Sequence, residues 1–236
     1  MSIKNMHYDF KQKLNKIDSQ QNRNLRIPEI DWKLNEALEQ FIKNIAEPRV
    51  NNQYGFEVNQ RVIDDIRPIV VNDKKLTAIV IDESSYYVEL PIDYMFFLSA
   101  RILISNTNCG DRFARAIVRQ HDDRFEESVF DNSSYEWKEV NVKFYEKGIK
   151  IYTDKSFIIK ELHLDYIKKH PYIHYAEGFL PAGTYNLPEG TVLTGFTDCL
   201  LAKHTHNEIV NIAVYLSSID LNMADQQSKQ IKTILN

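Results

Sequence analysis

Three short runs in this chain hold side chains able to do chemistry. His121-Asp122-Asp123 sets an imidazole beside two carboxylates, groups that a nuclease or hydrolase uses to hold a divalent metal. A metal needs three or more convergent ligands of suitable geometry. One triplet in an acidic stretch does not supply them, so the run reads as an exposed loop. His204-x-His206-x-Glu208 repeats the ligand types at a spacing of two. Residues i and i+2 share a face on a strand but not on a helix. The run straddles a predicted helix start, where Glu208 suits the positive amino end. Cys109 and Cys199 stand apart, with no CxxC between them. A thiol nucleophile needs a base and an orienting partner, and the sequence names neither, so both read as structural. The dinucleotide, P-loop, nucleophile-elbow and HExxH signatures are all missing. This reading assigns no catalytic residue, no metal ligand and no cofactor.

Composition narrows the class. The chain has 236 residues, 43% hydrophobic and 26% charged, as expected of a globular protein. Glycine is scarce, 7 residues or about 3%, and phosphate-cradling loops spend glycines in clusters. A net charge of -4 argues against a protein built to coat nucleic acid. The amino terminus lacks a secretory pattern, and the most apolar run, Tyr94 to Ile104, is far below a membrane span and contains Arg101. The expected setting is the cytosol or a soluble assembly, with both thiols reduced.

The elements that would position these groups read as follows. Residues 1–28 form a basic arm with six Lys/Arg, partly helical through Phe10, Leu14 and Ile17. A helix spans 29–45, with Ile30, Leu34, Leu38, Phe41, Ile42 and Ile45 on one face. A short helix is expected at 60–70. Strands follow at 74–81 and 86–90 around the turn-like Asp82-Glu83-Ser84-Ser85. The run 94–105 fits helix or buried strand, with strand favoured toward Ile104. Residues 111–139 read as a long surface excursion, rich in acids from Asp122 onward. Strands at 140–144 and 149–151 flank Glu146-Lys147-Gly148, and another strand spans 157–166. Residues 171–203 are irregular, and 206–221 form an amphipathic helix capped by Thr205 or Asn207. The polar tail carries Ile231, Ile234 and Leu235 at helical spacing, a small stripe able to dock on a neighbour. The sum is an α+β protein: helices packed on a mostly antiparallel β-sheet, a single domain at 29–221, an amino-terminal arm and a carboxy-terminal tail from 222.

The order of several runs carries a resemblance. Phe10-Lys-Gln-Lys-Leu14 precedes Ile27-Pro-Glu-Ile-Asp-Trp32, then come Leu90-Pro-Ile-Asp-Tyr94, Arg119-Gln-His-Asp-Asp123, Leu164-Asp-Tyr-Ile-Lys-Lys169 and His204-Thr-His-Asn-Glu-Ile-Val210. This order resembles virion structural proteins of crAss-like bacteriophages, which are similar to the ring-forming head-to-tail connectors, or adaptors, of short-tailed phages. The resemblance implies a non-enzymatic homo-oligomer, a ring of about twelve copies, at the portal vertex, neck or tail. Implied partners are the portal protein and neighbouring tail rings, with genomic DNA passing through the lumen unbound and no membrane contact. It also implies synthesis in the bacterial host cytoplasm. A capsid-associated or other tail-side protein of the same virion is the alternative, and a metal-dependent hydrolase using His121, Asp122 and Asp123 comes last.

Charge is split along the chain, +3 over residues 1–29 and -7 over the remainder, and opposite patches on one protomer favour head-to-tail contacts. The expected interface residues are Lys13, Lys16, Arg23 and Arg26 in the arm. To these the excursion adds Asp122, Asp123, Glu126 and Glu127, and the tail adds Ile231 and Ile234.

Overall fold

A computed structural model describes residues 1–17, 25–46, 64–107, 109–120, 131–175 and 184–220 of the chain. Helices and a large, mostly antiparallel, curled sheet make it an α+β protein. The chain divides into two compact units, Val70–Lys169 and the pair of flanking stretches Met1–Ile69 with His170–Asn236. Residues 29–221, read from sequence as one domain, are therefore shared between two. No described helix is long and apolar enough to cross a membrane.

The helical unit holds α1 (Ile3–Ile17), α2 (Ile27–Ala46) and α3 (His206–Asp220). The expected amino-terminal arm is corrected here over residues 3–17. Ile3, Met6, Phe10 and Leu14 recur at three- and four-residue steps, and all are buried. That stripe drives the segment onto the protein as a helix, with Lys4, Tyr8 and Lys11 facing out. On α2 the buried face comprises Ile30, Asp31, Leu34, Ala37, Leu38, Phe41 and Ile42. Both helices pack against α3. Of the helix expected at 60–70, residues 64–66 are helical, and a 3₁₀ turn at Arg67–Ile69 follows. Pro68 has no amide hydrogen to continue the ladder, and residues 60–63 lie outside the described set. The described part of the irregular stretch after residue 170 holds the small hairpin β9 (Tyr185–Asn186) and β10 (Val192–Leu193) and an isolated bridge between His174 and Thr197.

The strand unit contains β1 (Val70–Thr77), β2 (Ile79–Asp82), β3 (Ser85–Glu89), β4 (Tyr94–Asn106), β5 (Gly110–Val118), β6 (Glu139–Tyr145), β7 (Gly148–Tyr152) and β8 (Ile158–Lys168). Their order in the sheet is β1-β8-β4-β5-β6-β7-β3-β2. Because β1 runs through Ala78 directly into β2, the two ends of that order are one stretch of chain, and the sheet curls back on itself. Val88, Ile102, Ile104, Val142, Ile149, Ile151, Leu162 and Leu164 fill the concave side. On β4, β7 and β8 they recur at every second position, as one face of a strand requires.

Two expectations are corrected in this unit. The single strand expected at 74–81 breaks at Ala78. Residues 111–118, read as the start of an excursion, form β5. Only Ala114 of that strand is fully buried; Phe113 and Arg115 face outward, and Arg112, on the face of Ala114, is exposed as well, which hides the alternation. The ambiguous run at 94–105 is strand throughout. The long connection after residue 118 has a topological cause. β5 and β6 are parallel, and parallel neighbours cannot be joined by a tight turn.

Candidate functional site

Most of the sequence-predicted interface residues fall outside the described set: Arg23, Asp122, Asp123, Glu126, Glu127, Ile231 and Ile234. Lys16 belongs to α1. Lys13, also on α1, pairs with Asp9 at 2.7 Å, one turn earlier. Arg26 precedes α2, and its amide donates to the Glu29 carboxylate at 2.7 Å, closing the helix start. The structure brings none of the described ones together.

The His204/His206/Glu208 run does not converge. His204 Nε2 meets buried Asp65, whereas His206 Nε2 lies 3.0 Å from the Leu201 carbonyl and its Nδ1 lies 2.8 Å from the Met1 amino group. The helix start separates the two rings. Burial holds the His206 imidazole below its usual range. Thr205 stands at the cap position, and its hydroxyl donates back to the Ala202 carbonyl. Among the described residues no group of three or more His, Cys, Asp or Glu could hold a metal ion. Cys109 is exposed; Cys199 is buried, and burial pushes its thiol up to about 11, far from a reactive thiolate.

Two polar centres escaped the sequence reading. In the helical unit, His7 Nε2 lies 2.7 Å from Asp31 Oδ1, and both residues are buried. Asp31 Oδ2 accepts from the Tyr185 hydroxyl at 2.8 Å and from the Tyr175 amide at 3.2 Å. Burial and the adjacent Asp31 carboxylate drive the Tyr185 phenol far upward. Asn35, one turn on, pairs with both the amide and the carbonyl of Ile173. One carboxylate thus ties α1, α2 and the strand-poor stretch together. Its position was the available signal: Asp31 sits on the apolar stripe, three residues before Leu34 and seven before Leu38. A carboxylate there needs buried partners.

In the strand unit, Asp73 sits at a bulge in β1 with φ 55°, a left-handed backbone. Its carboxylate lies 2.7 Å from His163 Nδ1 and accepts from Arg101 at 3.0 Å. Its amide donates to Asp165 at 2.7 Å, and Ser99 donates to the other oxygen of Asp165. Phe113 packs edge-on to His163 and under Arg101. An imidazole oriented by a carboxylate is half of a nucleophilic triad. The nearby hydroxyl, Ser99, serves Asp165 rather than His163, and His163 Nε2 points toward Glu161 at 3.4 Å. The arrangement joins β1, β4 and β8 across their outer face.

The remaining feature is apolar. β2 pairs with β3 on one side, and among the described residues no strand pairs with its other edge. Ile79, Val80 and Ile81 are 60%, 63% and 53% exposed, on both faces of that strand. No protein-family model matches the chain, and no curated protein matches it.

Proposed function

We propose that this chain is a non-enzymatic virion structural protein that forms a ring in the portal, neck or tail assembly of a short-tailed phage. In that role it extends the DNA channel and links capsid to tail. The observation that carries the reading is the open β2 edge. Three consecutive branched side chains, each more than half exposed on a strand whose far edge pairs with no described strand, form a surface that invites pairing with another chain. A repeating subunit needs such a surface. The polar centres support the same reading, since each ties elements of its own unit together. Lys4 and Lys11 of α1 face outward, opposite in sign to the net charge of the rest of the chain, which suits heterologous contacts between identical subunits.

Electron microscopy of purified virions carrying a tag on this chain tests the proposal. Label at the vertex between capsid and tail, resolving into a closed ring on rotational averaging, is the expected outcome. Label spread over the capsid would replace the connector with a capsid-associated protein. Absence of the chain from the particle would end both structural readings and direct attention to hydrolysis by the His121-Asp122-Asp123 run.

A further inference from the structure

The outer face of the sheet carries two cross-strand neighbours of opposite charge that do not pair with each other. Arg115 on β5 and Glu139 on β6 stand directly opposite in the parallel register, and both are exposed. Ala114 and Val140, the next residue on each strand, lie in the core, so both charges point away from it. Among the described residues neither side chain joins an ion pair. Arg101, the neighbour of Arg115 on its other side, already holds Asp73 at 3.0 Å.

Two aromatic rings border this pair. Phe113, two residues before Arg115, is 47% exposed and packs on the outer face against His163 and Arg101. Trp137, two residues before Glu139, is 80% exposed. The loop that presents it is firmly held. Ser134 and Glu139 exchange both backbone hydrogen bonds across it, at 2.9 and 3.2 Å, and the Lys138 carbonyl accepts from the Arg115 amide at 2.7 Å. Lys138 takes the left-handed backbone at the end of the turn, φ 56°. The hydroxyl of buried Tyr135 donates to the Gly110 carbonyl at 2.9 Å and ties the loop to β5. An anchor fixed in this way loses little freedom when a partner covers it. Tryptophan and arginine are also the side chains that most often carry the energy of a protein contact.

An occupant of this face must offer a carboxylate to Arg115, a cation to Glu139 and apolar surface to the rings. The face itself offers all three. Glu136, Glu139 and Glu161 within it and beside it argue against a phosphate backbone. One two-fold arrangement of two copies matches every feature. An axis along the strands, between β5 and β6, sets β5 of one copy over β6 of the other at the same level. Arg115 of each copy then faces Glu139 of the other. Strand direction is preserved, so the aromatic end of one face meets the aromatic end of the other. An axis across the strands would set Arg115 on Arg115 and Glu139 on Glu139, which like charges oppose. Packed sheets lie about 10 Å apart, a gap that an arginine and a glutamate close from opposite sides.

We propose that this face docks on the same face of a second copy, about a two-fold axis running along β5 and β6. Arg115 of each copy pairs with Glu139 of the other, and the Phe113 and Trp137 rings pack between them. The inference does not rest on the ring reading, whose head-to-tail contacts need another surface.

Sedimentation of the purified full chain over a concentration series, with variants alone and mixed, tests it. The wild type should pair as concentration rises. Arg115→Glu sets acids against acids, and Glu139→Arg sets bases against bases. Each variant alone should pair roughly tenfold more weakly. Mixed in equal amounts, the two should form a mixed pair as tight as the wild type, because every contact is complementary again. That recovery also shows that both variants are folded. Trp137→Ala should weaken pairing roughly thirtyfold. A wild type that stays monomeric at every concentration overturns the proposal. So does self-association that ignores both charge reversals. Weakening by each reversal without recovery on mixing overturns it as well, since the face would then meet a different surface.

Discussion

Two histidine–aspartate pairs of equal length sit in opposite settings. His7 and Asp31 meet at 2.7 Å inside the helical unit, with the carboxylate fully buried. His163 and Asp73 meet at 2.7 Å on the outer face of the sheet, with the carboxylate half exposed. In the first, the carboxylate has traded water for three protein donors, so everything around it depends on it. In the second, water remains a partner, and the pair adjusts a fold that the aliphatic core already holds. The helical unit is assembled from the two ends of the chain, the strand unit from one continuous stretch. A buried polar hub suits the former, because it fixes the register of pieces that hydrophobic packing alone would let slide.

The sharpest way to break this comparison is Asp31→Ala. Removing one partner of a buried pair leaves the other polar groups without compensation and costs about 3–5 kcal/mol. Here the Tyr185 hydroxyl, the Tyr175 amide and His7 would all lose their acceptor. Trp32 lies in the helical unit and Trp137 in the strand unit. Urea unfolding followed at Trp32 in a Trp137→Phe background therefore reads the affected part. A loss below about 1 kcal/mol, the range of an exposed pair, would erase the distinction between the two centres.

Gly148→Ala sharpens the same contrast from the other side. A methyl group there would run into the Tyr87 ring and the Val88 carbonyl, at the tight β6–β7 connection. Overpacking of this kind costs about 1–3 kcal/mol. The loss should appear at Trp137 in a Trp32→Phe background and leave the Trp32 transition unmoved. Equal shifts at both reporters would show that the two units unfold as one.

How much of this was legible in the sequence follows the same division. The strand pattern of Val142, Phe144, Ile149 and Ile151 and the helix stripe of α2 are local periodicities, and reading them requires no knowledge of the partner. β5 was missed because its outward Arg and Phe residues overrode the period-two signal. The break at Ala78 was missed because it reflects which neighbour each half of the strand meets. α1 was read as part of a basic arm because residues 1–28 carry six Lys/Arg and few acids, yet four apolar side chains at the right steps were enough to bury one face. The polar centres join residues 24 and 90 positions apart. No spacing rule reaches across such separations, although Asp31 on an apolar stripe and Asp73 between strand residues were each anomalies in themselves.

Asp73→Asn carries the smallest effect and isolates charge most cleanly. Asparagine accepts the left-handed backbone at this position nearly as well as aspartate, so the bulge should survive. The hydrogen bond from His163, helped by its charge and by Arg101 against the opposing pull of desolvation, holds the Asp73 carboxyl below its ordinary value of 3.8. A carboxylate depressed in the folded state contributes stability that is complete above the unfolded value and is lost as pH falls through the folded one. The wild-type strand unit should therefore lose midpoint temperature more steeply than Asp73→Asn does as pH falls from about 5 through and below the ordinary carboxyl value of 3.8, with the two converging once the folded carboxyl is protonated. Thermal unfolding followed at Trp137 measures both slopes. Parallel slopes would mean that the ionised Asp73 contributes nothing to the join of β1, β4 and β8. A gap at pH 6 as large as that of Asp31→Ala would mean that the exposed centre matters as much as the buried one.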